Sequence, residues 1–143
     1  MRILFDTNVV VDVLLDREPF STIAAQLFSK VETGELSGYI CATTITTVHY
    51  LTSKVVGADC ARTEIRKLLS LFEIAPVNRP VLEAALASQF TDFEDAVAHE
   101  AARLVGAQGI VTRDIRGFAR AQIPVYSSEG LAGILRARDE ASH

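Results

Sequence analysis

The chain has few of the features that mark disulfide-stapled, exported or membrane-spanning proteins. It contains only two cysteines, Cys41 and Cys60, and neither has another Cys or His at metal-ligand spacing. The sequence leaves a disulfide open, but reduced and buried thiols are the stronger expectation. The apolar segments are too short to span a bilayer, and Asp6 interrupts the stretch where a signal peptide needs a continuous apolar core. We therefore expect a cytoplasmic protein that does not bind membranes.

Excess positive charge and phosphate-binding glycine loops are also lacking. The net charge is −4, which argues against a broad basic surface that grips nucleic acid through many phosphates. Nucleic-acid chemistry stays open, because divalent cations in an acidic site can themselves attract phosphates. The lack of a glycine-rich loop disfavours a nucleoside triphosphatase. No Ser–His or Cys–His pair has the context of a catalytic triad, so a covalent route is not indicated.

The 143 residues that are present suit one globular domain. Hydrophobic residues make up 49% of the chain and charged residues 22%, and a chain of this length can fold without disulfides or structural metals. We predict a single domain over residues 1–138 and a flexible tail over residues 139–143. Short apolar runs alternate with helical segments, which is typical of parallel βα units. The predicted fold is therefore α/β, a three-layer α/β/α sandwich with a central, mainly parallel sheet.

Individual elements follow from apolar spacing and from helix-ending signals. We predict strands over residues 2–5, 38–42, 72–77, 109–112 and 124–127. Helices are predicted from about residue 8 onward and over residues 21–32, 44–56, 59–71, 80–90, 92–106 and 128–138. The expected N-caps of three of these helices are Asp59, Asp92 and Ser128.

Polar residues directly follow three of the predicted strands. Asp6 follows the first, Thr43–Thr44 the second and Thr112–Asp114 the fourth. Because ligands bind outside the carboxyl ends of parallel strands, we expect these residues to meet at one edge, joined by Asp95 from the first turn of its helix. Carboxylates that meet there repel one another, and Mg²⁺ or Mn²⁺ would relieve that repulsion. The pattern predicts a metal site made of Asp6, Asp95 and Asp114.

Each acid also has a purely structural interpretation. Asp6 could cap the helix that follows it, and Asp95 could complement the dipole of its own helix. Asp114 could form an Asx-turn, and Asp92 fits an N-cap better than a metal ligand. The placement of Asp6, Asp95 and Asp114 at one predicted edge is what favours a functional role.

Arg113 has two alternative roles, and one charged turn is assigned no function. Arg113 could contact a substrate phosphate from the cleft, or it could form a salt bridge outside the cleft. The charged turn Asp16-Arg17-Glu18 is expected to be only solvated.

Three stretches of the chain resemble the PIN-domain family. LFDTNVVVDVLLDREPF resembles the family's opening strand, which ends in an Asp that begins a D-x-N pattern. FTDFEDAVAHEAARLVGAQGIVTRDIRGF resembles its second half, where an acid opens a helix and a later strand ends in Thr-Arg-Asp or Thr-Arg-Asn. IPVYSSEGL resembles the closing strand and helix. The resemblance extends from Met1 to about Leu135, and the order and separation of the motifs make it specific.

The resemblance implies a parallel sheet between helices and metal-dependent cleavage of phosphodiester bonds, usually in RNA. Many small members are the toxin half of bacterial toxin–antitoxin pairs, which implies an antitoxin that covers the acidic cleft, and such domains often pair as homodimers. Carried over by position, Asp6, Asp95 and Asp114 match the acids that hold Mg²⁺ or Mn²⁺. Asn8 and Thr112 match polar positions that orient ligands or water.

Two positions depart from the family pattern. Thr47 stands where the family usually has a Glu, and a neutral hydroxyl ligates metal poorly, although it can hold a metal-bound water. Gly117 stands where the family often has an Asp, and Asp114 is a candidate replacement for that Asp. The predicted site therefore retains three acids instead of four or five.

The leading hypothesis is a divalent-metal-dependent ribonuclease with three catalytic acids. Its supporting residues would be Asn8, Thr47, Asp92, Thr112 and Arg113. The alternative is a catalytically weak or inactive module that binds RNA or a protein, because Thr47 replaces the usual Glu. A phosphatase with Asp6 as its nucleophile ranks lower, since such enzymes commonly carry a second Asp where this chain has Asn8.

Overall fold

The computed structural model describes residues 1–142 as a sheet of five strands surrounded by helices. The strands are β1 (Arg2–Phe5), β2 (Ser37–Cys41), β3 (Glu73–Ala75), β4 (Gly109–Val111) and β5 (Val125–Tyr126). The helices are α1 (Thr7–Leu14), α2 (Ser21–Glu32), α3 (Ala42–Val56), α4 (Ala58–Leu71), α5 (Arg79–Ala87), α6 (Phe93–Leu104) and α7 (Ser128–Ala141), with a 3-10 helix at Arg116–Phe118. Elements therefore alternate along the chain as the sequence predicts.

All five strands are parallel and lie in the order β3-β2-β1-β4-β5. The chain builds outward from β1 to β2 and β3, then crosses back to place β4 on the other side of β1. The strand order thus reverses between β1 and β4, and such a reversal opens a crevice at the carboxyl ends of the two strands. The pairing of Phe5 with Val111 sets the next residues, Asp6 and Thr112, side by side at that crevice.

Helices cover both faces of the sheet. Successive strand residues point to opposite faces, so Ile3 and Phe5 pack with α1, α2, α3, α4 and α7, whereas Leu4 packs with α5 and α6. On the first face the rings of Phe5, Phe28 and Phe72 meet edge to face with centroids 5.0–5.7 Å apart. The three-layer α/β/α sandwich and its parallel sheet are confirmed.

Helix boundaries differ from prediction where one element follows another without a loop. Asp59 is not an N-cap: Gly57, at φ +88°, ends α3 and begins α4, and Asp59 lies in the first turn. Ser127, not Ser128, caps α7 by accepting a hydrogen bond from the Gly130 amide at 2.9 Å. Helix α7 continues to Ala141, so three residues assigned to the tail are helical, and residue 143 lies outside the described residues.

The structure agrees only in part with the expectations for the two cysteines. Both cysteines are free thiols, as expected, and Cys41 is buried. Cys60 is exposed, contrary to the prediction, because it lies in the first turn of α4 on the outer side of that helix. Within residues 1–142, no helix has both the length and the apolarity needed to cross a bilayer.

Candidate active site

A cleft of about 330 Å³ lies at the carboxyl ends of β1 and β4, beside the first turn of α6. The structure brings the three predicted acids together there, although they are far apart in sequence. Five acids line the cleft: Asp6, Asp92, Glu94, Asp95 and Asp114. Thr43 and Thr44, expected at the same edge, lie in the first turn of α3 and outside the lining.

Asp6 presents its carboxylate to the cleft instead of capping α1. It occupies the N-cap position, but its side chain makes no capping hydrogen bond. Its Oδ2 accepts a 2.7 Å hydrogen bond from the buried Thr112 hydroxyl. Burial raises the pKa of the Asp6 carboxyl above its usual range; the hydrogen bonds from Thr112 and the Thr7 backbone oppose that rise, and the charges of Glu94 and Asp114 add to it.

Asn8 and Thr112 form the hydrogen-bonded support beneath Asp6. The Asn8 amide nitrogen lies 3.3 Å from Thr112 Oγ1 and 3.5 Å from Asp6 Oδ2. Asn8 Oδ1 accepts from the Arg113 amide at 3.1 Å, and Thr112 Oγ1 accepts from the Asp114 amide at 2.9 Å. These bonds tie the loop after β4 to the end of β1 and place Asn8 and Thr112 beside Asp6.

Asp95 enters the cleft from the first turn of α6. Its backbone amide donates to Asp92 Oδ1 at 2.9 Å, so Asp92 is the N-cap that the sequence predicts. The pKa of Asp95 is raised to about 7 by burial and then by the charges of four nearby acids, Asp6, Asp92, Asp114 and Glu94. The cleft therefore concentrates negative charge around this carboxyl.

Asp114 lines the cleft and also holds the turn that follows it. Its Oδ1 accepts from the Gly117 amide at 3.1 Å, three residues further on, whereas the expected Asx-turn bond would reach only two residues on. A Cβ on Gly117 would clash with Asp114 Oδ2, lie 2.9 Å from Asp114 Cγ and lie 3.0 Å from Asp95 Oδ2. The Asp114 carboxylate thus occupies the space that a side chain at position 117 would fill, beside Asp95.

Thr47 faces an acid that the sequence analysis missed. Its hydroxyl lies 3.1 Å from Glu94 Oε1, and both residues line the cleft. The only sequence signal for Glu94 was its position next to Asp95 in the first turn of α6. Arg17 also lines the cleft, so the turn at residues 16–18 is not merely solvated, and no sequence pattern pointed to it.

Arg113 forms a salt bridge outside the cleft. Its Nε and Nη2 donate to the two oxygens of Asp12 at 2.7 and 3.0 Å, and its guanidinium stacks 4.0 Å from the centroid of the Phe20 ring. Asp12 is only 1% exposed. Of the two roles left open for Arg113, the structure places it in the salt bridge, and the signal for its partner was a lone acid in the apolar run VVVDVLL.

The donors in the cleft suit a hard divalent cation. Carboxylate oxygens are the ligands that Mg²⁺ and Mn²⁺ prefer, and a cation would relieve the repulsion between acids that, after burial, raises the pKa of Asp95. Across residues 1–142, no three His, Cys, Asp or Glu side chains already stand as a group that could hold a metal. Mg²⁺ commonly uses one or two carboxylates and keeps several waters, so the acids fit the ion without a preformed cage.

The chain is similar to known proteins in both sequence and fold. A family model described as PIN domain matches residues 2–116. Ribonuclease VapC1 of Aquifex aeolicus (strain VF5) is 25% identical over 133 residues, which covers 90% of this chain and 91% of that protein. A toxin–antitoxin complex from Klebsiella pneumoniae contains a chain that is 26% identical with a TM-score of 0.67, covering 88% of this chain and 97% of that one.

A more distant structure shares the fold alone. It is VapC20 of Mycobacterium tuberculosis, described as a sarcin-ricin loop cleaving toxin, with a TM-score of 0.66. Its sequence is 14% identical, and the match covers 85% of this chain and 98% of that chain.

The raised pKa of Asp95 predicts a pH-dependent stability in the absence of metal. Between its unfolded pKa near 3.8 and its folded pKa of about 7, the folded protein holds a proton that the unfolded chain has released. This stabilisation is present at low pH and is lost as the pH rises through about 7. Asp95→Asn should therefore raise the melting temperature relative to wild type at about pH 8, and the gain should shrink at about pH 5. Thermal unfolding in EDTA measures it.

The matched control is Glu83→Gln, which removes an exposed carboxylate on α5 that is not part of the cleft lining. It should shift the melting temperature little, and equally at both pH values. An Asp95→Asn effect that is the same at both pH values would contradict the assignment.

The Asp12–Arg113 pair predicts an asymmetric response to mutation. Arg113→Met leaves the Asp12 carboxylate buried with the Arg17 guanidinium 4.0 Å away, and should lower the free energy of unfolding by about 3 kcal/mol. Asp12→Leu combined with Arg113→Met removes both charges, so it should lose clearly less than Arg113→Met alone. Urea unfolding measures both, and a double variant that is less stable than the single one would refute the explanation.

Proposed function

The chain belongs to the PIN-domain family, and on that premise we propose that it is a divalent-metal-dependent endoribonuclease, the toxin of a toxin–antitoxin pair. The observation that carries the proposal is the convergence of Asp6, Asp95 and Asp114 in one cleft at the strand-order reversal. The 25% identity to Ribonuclease VapC1 over nine-tenths of both chains supports a ribonuclease activity. The proposed catalytic residues are these three acids.

Asp6, Asp95 and Asp114 would hold Mg²⁺ or Mn²⁺ through carboxylate oxygens. When bound, such a cation supplies positive charge that offsets the charge of the phosphodiester and lowers the pKa of water in the site. The Thr112 hydroxyl orients the Asp6 carboxylate toward the cleft through its 2.7 Å hydrogen bond. The Asn8 amide in turn donates a hydrogen bond to Thr112 Oγ1 at 3.3 Å. Asp92 holds the first turn of α6 and so positions Asp95.

The reaction we propose is hydrolysis of an RNA phosphodiester. Water forms the new bond to phosphorus as one ester P–O bond breaks, leaving a phosphate on one end and a hydroxyl on the other. Arg17 is the cation of the cleft lining and is about 42% exposed, so we assign to it the phosphate contact that the sequence left open for Arg113. Its guanidinium matches the geometry of a phosphate.

The same cleft suits an antitoxin partner. Solved structures of similar chains include a toxin–antitoxin complex, and a dense cluster of carboxylates would attract an arginine of such a partner. A homodimer fits the exposed apolar side chains of α5, Leu82 and Leu86, which lie one helical turn apart on one face of that helix. A cytoplasmic location, where RNA and an antitoxin are both present, is part of the proposal.

Asp6→Asn should abolish RNA cleavage. The amide keeps the size of the side chain but removes a charged ligand of the proposed cation, which should cost about two orders of magnitude in rate or more. The measurement is cleavage of structured and single-stranded RNAs in Mg²⁺, Mn²⁺ or EDTA, with Glu83→Gln as the charge-matched control. Undiminished metal-dependent cleavage by pure Asp6→Asn would contradict the assignment of Asp6 to the metal site.

The alternative, a PIN-like module that binds without cutting, has its own outcome in the same assay. No cleavage by the wild type in any metal, together with retained RNA or partner binding, would favour it. The feature behind this alternative is Thr47, which lacks the charge of the usual Glu.

A further inference from the structure

Glu94 lies at the cleft between two helices. It belongs to the first turn of α6, whereas Thr47 approaches it from α3, 47 residues earlier in the chain. The Thr47 hydroxyl lies 3.1 Å from Glu94 Oε1 and 3.4 Å from the Thr43 carbonyl of its own helix. The shorter contact therefore crosses the cleft to a carboxylate, and the longer one stays within α3.

An ordinary helix-dipole role explains only part of this arrangement. An acid in the first turn of a helix is favourable there whichever way its side chain points. Helix α6 already has Asp92 as its N-cap and Asp95 in the same turn, so the helix does not depend on Glu94. An exposed Glu also loses rotamer freedom when it is held by a neighbour, and the Thr47 contact holds it on the side that faces the other acids.

Glu94 shares its cleft with the other acids. It lines that cleft together with Asp6, Asp95 and Asp114. Opposite charges attract over the distances at which like charges repel, so a cation among these acids would interact with Glu94 as well.

We propose that Glu94 is a fourth acid of the metal site, oriented by the Thr47 hydroxyl, and that it binds the divalent cation directly or through water. This inference rests on the proposed metal-dependent function. Glu94 would act on the cation itself, and Thr47 would be a positioning residue that acts through Glu94. Together they would place a carboxylate on the α3 side of the cleft although α3 supplies only a hydroxyl there.

The test is Mn²⁺ binding to the purified full chain, followed by electron paramagnetic resonance and calorimetry, with folding checked by circular dichroism. Glu94→Gln should weaken Mn²⁺ binding about tenfold, the scale expected for loss of one ligand or of its hydrogen-bonded support. Thr47→Val should weaken it by a smaller factor, and Thr47→Ser, which keeps the hydroxyl, should restore it. Glu83→Gln removes the same charge outside the cleft and should leave binding unchanged.

Exchanging the residues at positions 47 and 94 tests whether a carboxylate on either side of this contact can support Mn²⁺ binding. Thr47→Glu combined with Glu94→Thr moves the acid across the 3.1 Å contact and should recover most of the affinity lost in Glu94→Gln. A folded Glu94→Gln that binds Mn²⁺ like wild type would overturn the inference. If Glu94→Gln binds Mn²⁺ like wild type but Asp6→Asn does not bind Mn²⁺, the proposed metal site stands without Glu94. A wild type that binds no Mn²⁺ would overturn both the role of Glu94 and the proposed metal-dependent function.

Discussion

The parallel pairing of β1 with β4 is the constraint on which the candidate site depends. Phe5 faces Val111 in the ladder, and the Asp6 amide continues the ladder by donating to the Val111 carbonyl at 3.0 Å. That register brings the Thr112 hydroxyl to the Asp6 carboxylate. A shift of one residue would turn Thr112 to the other face of the sheet, and Asp6 would lose the bond that holds it in the cleft.

The arrangement of charge around this register opposes the stability of the folded protein. Burial and mutual repulsion raise the pKa of both Asp6 and Asp95, so the metal-free protein near neutral pH carries acids that would ionise more readily when unfolded. The neighbouring Asp12–Arg113 pair does not add to this repulsion, because its two opposite charges are joined by two hydrogen bonds. It anchors the residue before Asp114 to α1, and so fixes the loop without adding charge to the cleft.

Much of this structure was predictable, because local signals agree with the global fold. Apolar runs predicted every strand, and the order of the motifs placed Asp6, Asp95 and Asp114 at one sheet edge. Glu94 and Arg17 were missed because their positions in the cleft depend on side chains that meet from different elements, and no spacing in the sequence reports such a contact. The same limit applied to Arg113, whose partner Asp12 could be recognised only once α1 lay beside the loop after β4.

The central claim is that the acids at the end of β1, at the start of α6 and after β4 form one cation site. The most direct measurement is anomalous diffraction from a crystal of this protein soaked in Mn²⁺. The account predicts an anomalous peak in the cleft, within roughly 2.0–2.4 Å of carboxylate oxygens of Asp6 and Asp95. A well-ordered cleft with no peak, or a peak bound only outside it, would contradict the account.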